Sequence, residues 1–186
     1  MVKAMRTGTK VTTGKVRLSY THLFEAHAIE GNDPKFSVSV IISKTDVDTL
    51  KAIKEAVEEA KVQGKTKWGG KVPVTLKTPL RDGDVERPDD DAYTNCYFLN
   101  ASSKNKPGVV DQNVHPVLDA TEVYSGCYGR LTINFYAFSA SGNKGVAAGL
   151  GNVQKLGEGE SLSGAFTRAE NDFDAVGETA TDDFLG

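Results

Sequence analysis

Residues 127–140 read CYGRLTINFYAFSA, and the two faces of that run decide the fold. Leu131, Ile133, Phe135 and Ala137 share one parity and form an apolar row. Tyr128, Arg130, Thr132, Asn134, Tyr136 and Phe138 share the other. Period-two alternation is the signature of a strand with one face in a core. Working outward, KVRLSY (15–20) places Val16, Leu18 and Tyr20 on one face, and KFSVSVII (35–42) aligns Phe36, Val38, Val40 and Ile42. NCYFLNAS (95–102) behaves alike, and GVAAGLGNVQKL (145–156) reads as a last strand loosened by glycines. SGNKG (141–145) suits a tight hairpin turn.

One helix interrupts the strands. The spacing predicts it from Thr45 to Gln63, with Thr45 and Asp48 as capping pair, Leu50, Ile53, Val57 and Ala60 as the buried stripe, and Gly64 as its stop. TPLRDGDVERPDDD (78–91) and SSKNKPG (102–108) read as loops. The pattern is mainly β (α+β) and fits an oligonucleotide-binding (OB)-fold-like five-stranded barrel with one inserted α-helix. A β-sandwich accommodates the same strand count, and periodicity does not separate the two. With 186 residues and no internal repeat, the expectation is one folded domain, residues 1–168, followed by a tail, residues 169–186.

The net charge of −3 conceals a segregation. All 22 basic residues lie at or before Arg168, so the body carries about +3, while Glu170, Asp172, Asp174, Glu178, Asp182 and Asp183 give the tail −6. Such a segment cannot bury enough apolar surface to order itself, so a disordered acidic arm is expected. It nevertheless ends in Asp182, Asp183, Phe184 and Leu185, an apolar plug behind two carboxylates that suits docking to a basic partner surface. The basic body removes the objection that an acidic protein should avoid nucleic acid.

The second face of residues 127–140 points to what the body binds. A solvent face does not need Tyr128, Tyr136 and Phe138, and a core face would not hold Arg130 and Asn134. Aromatics interleaved with a base and amides suit a stacking platform for unpaired bases, with a guanidinium on the phosphate. The alternative is an amphipathic strand whose outer rings are covered by the helix or a loop. Further cations fall where a groove can use them: Lys15 and Arg17, then Lys65, Lys67 and Lys71 around Trp68, then Lys104 and Lys106. Trp68, flanked by cations and glycines, reads as a stacking residue or as a lid over the barrel end.

Catalytic readings find less support. His22, His27 and His115 with Cys96 and Cys127 lack metal-ligand spacing, so neither metal nor cofactor is expected. The acidic run from Asp82 to Asp91 lacks the order of a calcium loop, and there is no phosphate loop or GxSxG. The N-terminus, MVKAMRTGTK, has no apolar core of a signal peptide, and no run reaches membrane-spanning length. Reduced thiols and a cytoplasmic location are the simplest expectation. A Cys96–Cys127 disulfide is the less favoured alternative.

YFLNASSKNKPGVVDQN (97–113), YSGCYGRLTINFYAF (124–138) and GNKGVAAGLGNVQKLGEGESLSG (142–164) resemble a bacteriophage family long catalogued as uncharacterised, whose members look like phage single-stranded DNA-binding proteins. The resemblance spans about Gly14 to Gly164. It implies an OB-fold domain that coats single-stranded DNA in phage replication or recombination, in the host cytoplasm if phage-encoded. The residues themselves, which form no active-site constellation, lead to the expectation that the chain is not an enzyme. The tail is similar to those of replication single-stranded DNA-binding proteins, which dock polymerase and other replisome components such as helicase and primase. Those tails end in Phe, whereas Leu185 and Gly186 follow Phe184 here. An RNA-binding or strand-annealing module and a virion structural protein are the competing readings. Self-association as a homodimer stays open.

Overall fold

A computed structural model of the chain describes residues 2–28, 31–140, 142–162 and 173–176. Among these residues, nine strands form one sheet: β1 (Met5–Thr7), β2 (Lys10–Thr12), β3 (Val16–His27), β4 (Lys35–Ser43), β5 (Arg81–Asp82), β6 (Cys96–Ser103), β7 (Val109–Val110), β8 (Tyr128–Ala140) and β9 (Asn143–Gly157). Five of them close on themselves. β3 pairs with β4, β4 with β6, β6 with β9, β9 with β8, and β8 returns to β3. Every pairing in that ring is antiparallel except β6 with β9, where Ala101 faces Ala148. Numbered along the ring's own strands, the order is 1-2-3-5-4-1, the connectivity of an OB barrel. The ring excludes the sandwich.

The short strands extend the ring. The β1–β2 hairpin continues the β3 edge of β8, with Val11 opposite Ile133. β7 prolongs the β6 edge of β9, with Val109 opposite Val153.

Parity fills the interior as the sequence indicates. Leu131, Ile133, Phe135 and Ala137 of β8 are buried together with Val38, Val40 and Ile42 of β4 and Leu99 and Ala101 of β6. Helix α1 (Val47–Gln63) adds Leu50, Ile53, Ala56, Val57 and Ala60 to the same core. Its cap is Asp46, whose side chain accepts from the Thr49 amide at 3.2 Å. The Thr45–Asp48 pair is not the cap, since Thr45 instead bonds Ser43 two residues earlier.

Gly64 has a different job from the expected stop. Its backbone is right-handed and the chain runs on into a 3-10 turn, Gly64–Trp68, ended by left-handed Gly69 (φ 73°). A Cβ at Gly64 would collide with the Ala137 Cβ, so glycine lets the helix end approach β8.

The 78–91 segment is more ordered than a loop. It contains β5 and a short helix, α2 (Gly83–Glu86), followed by a 3-10 turn at Asp91–Tyr93. Lys44 pins it to the end of β4 through Asp84 at 2.7 Å and Asp82 at 2.9 Å. Tyr93 and Phe98 meet edge to face with centroids 5.0 Å apart, and with Ile41 they make a second small core on the outside of the barrel.

Candidate nucleic-acid interface

A groove of about 560 Å³ runs along the outside of β3, β4 and β6. Its floor is small and polar, with Ser37 and Ser39 of β4 and Asn100 and Ser102 of β6. These residues have the parity opposite to the core; Ser39 is covered and shares a hydrogen bond with the Tyr93 hydroxyl at 3.3 Å, while Asn100 stays exposed and Ser37 and Ser102 partly so. One wall is Tyr20. A bulge between Ser19 and His22 breaks the β3–β4 register there, and Tyr20 adopts φ 46°. Bulges re-aim side chains, and a tyrosine in the left-handed region is strained. Regular alternation would send Tyr20 inward with Val16 and Leu18; the bulge turns it out, 53% exposed, into the groove.

Arg87 forms the facing wall. Its guanidinium lies 5.7 Å from the Tyr20 ring centroid, 5.1 Å from Tyr93 and 5.3 Å from Phe98. Three rings therefore hold one cation at the groove edge. Lys35 lines the groove, and Lys106 reaches over the half-buried Phe24 ring at 5.7 Å on β3. Lys104 is exposed in the same β6–β7 connection. In an OB barrel, oligonucleotides lie across the second and third strands and the first interstrand loop, here β4, β6 and the β3–β4 connection, from which Asn32 and Asp33 line the groove. The groove occupies that position.

Residues singled out on β8 do not line it. Tyr128 is half-buried, with Lys15 Nζ 5.0 Å and Arg17 Cζ 5.7 Å from its ring centroid, so these three do come together. Arg17 is also spoken for, donating to the carbonyls of Gly126 and Glu160 at 3.1 and 2.7 Å. It shares a second, acid-rimmed cleft with Arg87. Arg130 donates to the carbonyls of Thr13 (3.2 Å) and Lys3 (3.0 Å), which ties down the N-terminal segment. Tyr136 stays 44% exposed and Phe138 is half-buried.

Trp68 needs correction. It is 6% exposed within the main core, and its indole donates to the Phe138 carbonyl at 3.0 Å. A ring so enclosed cannot stack on a base; it packs in the core between the end of α1 and β8. Lys67 donates to the Ala137 carbonyl beside it, while Lys65 and Lys71 are exposed around the turn. Asp182, Asp183, Phe184 and Leu185 lie outside the described residues.

Tyr20, Phe24, His22, His27, Lys35 and Arg87 escaped the sequence reading. Arg87 stands in an acidic run, and its partners come from β3, β6 and the turn at Asp91–Tyr93. Aromatic rings at every second position of YTHLF, Tyr20, His22 and Phe24, were the available signal.

The sequence profile of the family described as Enterobacter phage Enc34, ssDNA-binding protein, matches residues 9–185. The chain belongs to this family. It is also 30% identical to putative protein p50 of Acyrthosiphon pisum secondary endosymbiont phage 1, over 95% of this chain and 98% of that protein. The Enc34 single-stranded DNA-binding protein in complex with ssDNA superposes with a TM-score of 0.76 at 25% identity, covering 87% of this chain and 98% of that one. The fold is shared further with gp2.5, a single-stranded DNA binding protein of bacteriophage T7, at a TM-score of 0.60 and 14% identity over 91% and 95% of the two chains. Membership of the Enc34 family agrees with the resemblance carried by residues 97–113, 124–138 and 142–164.

Among the described residues, no group of His, Cys, Asp and Glu is arranged to hold a metal ion, and no helix is long and apolar enough to cross a membrane. Cys96 and Cys127 are both free thiols.

Proposed function

We propose that this protein binds single-stranded DNA without sequence preference in the groove of β3, β4 and β6, and coats it during phage DNA replication or recombination. The observation that carries the reading is Arg87 held over Tyr20 at the mouth of a polar groove on the face OB barrels use. Rings stack on any base and the guanidinium meets phosphate, which favours unpaired strands of any sequence. The similarity to the Enc34 protein bound to ssDNA supports the same chemistry. Lys15, Arg17, Tyr128, Lys104 and Lys106 are proposed as flanking contacts, and Tyr136, Phe138, Lys65, Lys67 and Lys71 as a more distant track.

Anisotropy of labelled oligo-dT tests this directly; Trp68, buried in the core, is a blunt reporter. Wild type should prefer oligo-dT to duplex, with an affinity that falls as salt rises. Tyr20→Ala and Arg87→Ala should each weaken binding by about 1–3 kcal/mol. Equal affinity for duplex overturns the reading, and preference for an RNA oligomer of the same length selects the RNA-binding alternative.

The segment 169–186 is proposed to recruit phage or host replication proteins through Asp182, Asp183, Phe184 and Leu185. Its six carboxylates should also compete with DNA for the basic body. Removing residues 170–186 should therefore tighten DNA binding at low salt and abolish pull-down of replication enzymes; a truncation that changes neither rejects that role.

A further inference from the structure

His22 and His27 are five residues apart on β3. In an unbroken strand such residues face opposite sides of the sheet, roughly 17 Å apart. Here the register jumps: His22 pairs with Ser37 and His27 with Lys35, so four residues of β3 oppose Phe36 alone. Three residues are therefore surplus in the segment Leu23 to Ala26, which keeps Leu23 in the core while the strand folds so that the two imidazoles stack, with centroids 4.4 Å apart and planes 10° from parallel. Both rings line the groove, His22 half-buried and His27 exposed.

Two cations cannot share that spacing cheaply. Burial, and then repulsion from His27, holds the His22 imidazole below its ordinary value, so it is neutral at neutral pH. Among the described residues, the other charged or titratable side chains of the groove are Tyr20 of β3, Asp33 before β4, Lys35 of β4 and Arg87 after α2. Asp33 is the one carboxylate among them, set against two permanent cations. A phosphate in the groove would supply the missing negative charge.

We propose that the His22–His27 stack is a proton-linked contact for the nucleic-acid backbone, so that the groove takes up a proton as a phosphate enters and holds single strands more tightly as pH falls below neutrality. The inference rests on the proposed single-stranded DNA reading and adds to it a histidine pair built by one bulge. The neutral stack offers a flat ring to a base; the protonated stack offers a cation to a phosphate.

The test is oligo-dT affinity at about pH 7.5 and about pH 6, above the range where carboxylates titrate. Wild type should bind about two- to fivefold more tightly at the lower pH, and His22→Gln and His27→Gln should each flatten that slope. Calorimetry of wild type in two buffers of different ionisation enthalpy should show net proton uptake on binding, a readout that needs no variant. No binding at either pH rejects the single-stranded DNA reading itself. Binding without proton uptake, or one slope shared by wild type and both variants, rejects the histidine proposal and leaves that reading standing.

Discussion

Tyr20 combines two properties that rarely coincide in an ordinary strand residue, a left-handed backbone and an outward aromatic ring. A tyrosine held there costs about 1–3 kcal/mol, which the fold tolerates only when the surrounding structure dictates it. Tyr20→Gly would remove strain and ring together. Its melting temperature should therefore hold or rise while oligo-dT affinity drops; a marked fall in melting temperature would show that the ring is structural. The opposite separation is expected on β8. Phe135→Ala should destabilise by about 2–5 kcal/mol through the cavity it leaves, whereas Tyr136→Ala, on the outer parity, should leave the unfolding midpoint nearly unchanged. Chemical denaturation of both variants checks that contrast. His22 adds a pH term to stability. Its lowered folded value means that the unfolded chain binds the proton first as pH falls below about 6.5, so stability declines from there downward, and His22→Gln should blunt the decline in thermal melts.

At the level of elements, the groove depends on a segment far from its floor in sequence. Arg87 follows α2, and α2 is fastened to β4 by Lys44, Asp82 and Asp84. The Lys44 ammonium and the Asn95 amide hold the Asp84 carboxyl below its usual range, while the two carboxylates push Lys44 upward. The Asp84 contribution is present above about pH 3.8 and lost as pH falls through its depressed folded value. Asp84→Asn should loosen residues 81–93, faster in amide hydrogen exchange, and weaken DNA binding with little effect on barrel melting. Unchanged exchange there would disconnect the clamp from the groove. This is also where sequence legibility ended. Residues 127–140 and 35–42 showed their buried faces because alternation is a local property. The helix stripe was legible for the same reason, though its cap lay one residue on, at Asp46. The ring order followed only as one option among small β architectures. Tyr20, the His22–His27 pair and Arg87 depend on bulges and on contacts between distant segments, and no periodicity reports those.

Across the whole molecule, the charge segregation between residues 1–168 and 169–186 argues for salt-sensitive binding, and the closed ring argues for a rigid floor beneath the ligand. The ring has a seam. Val16 faces Gly129 and Arg17 faces Tyr128, pairs more than a hundred positions apart, while β6 meets β9 in parallel. Hairpin β8–β9 can form locally, but the ring closes only when β8 has met β3 and β9 has met β6. Contacts so distant are slow to make, so refolding should take milliseconds to seconds by stopped-flow, and a burst to the native signal in microseconds would contradict it. The same seam sets a schedule for synthesis. The residues that line the groove, from Tyr20 to Ser102, leave the ribosome early, yet the strands that shape them into a surface come last. Translation therefore delivers the proposed binding face only once residue 157 has emerged, and a half-made chain should offer single strands nothing to hold.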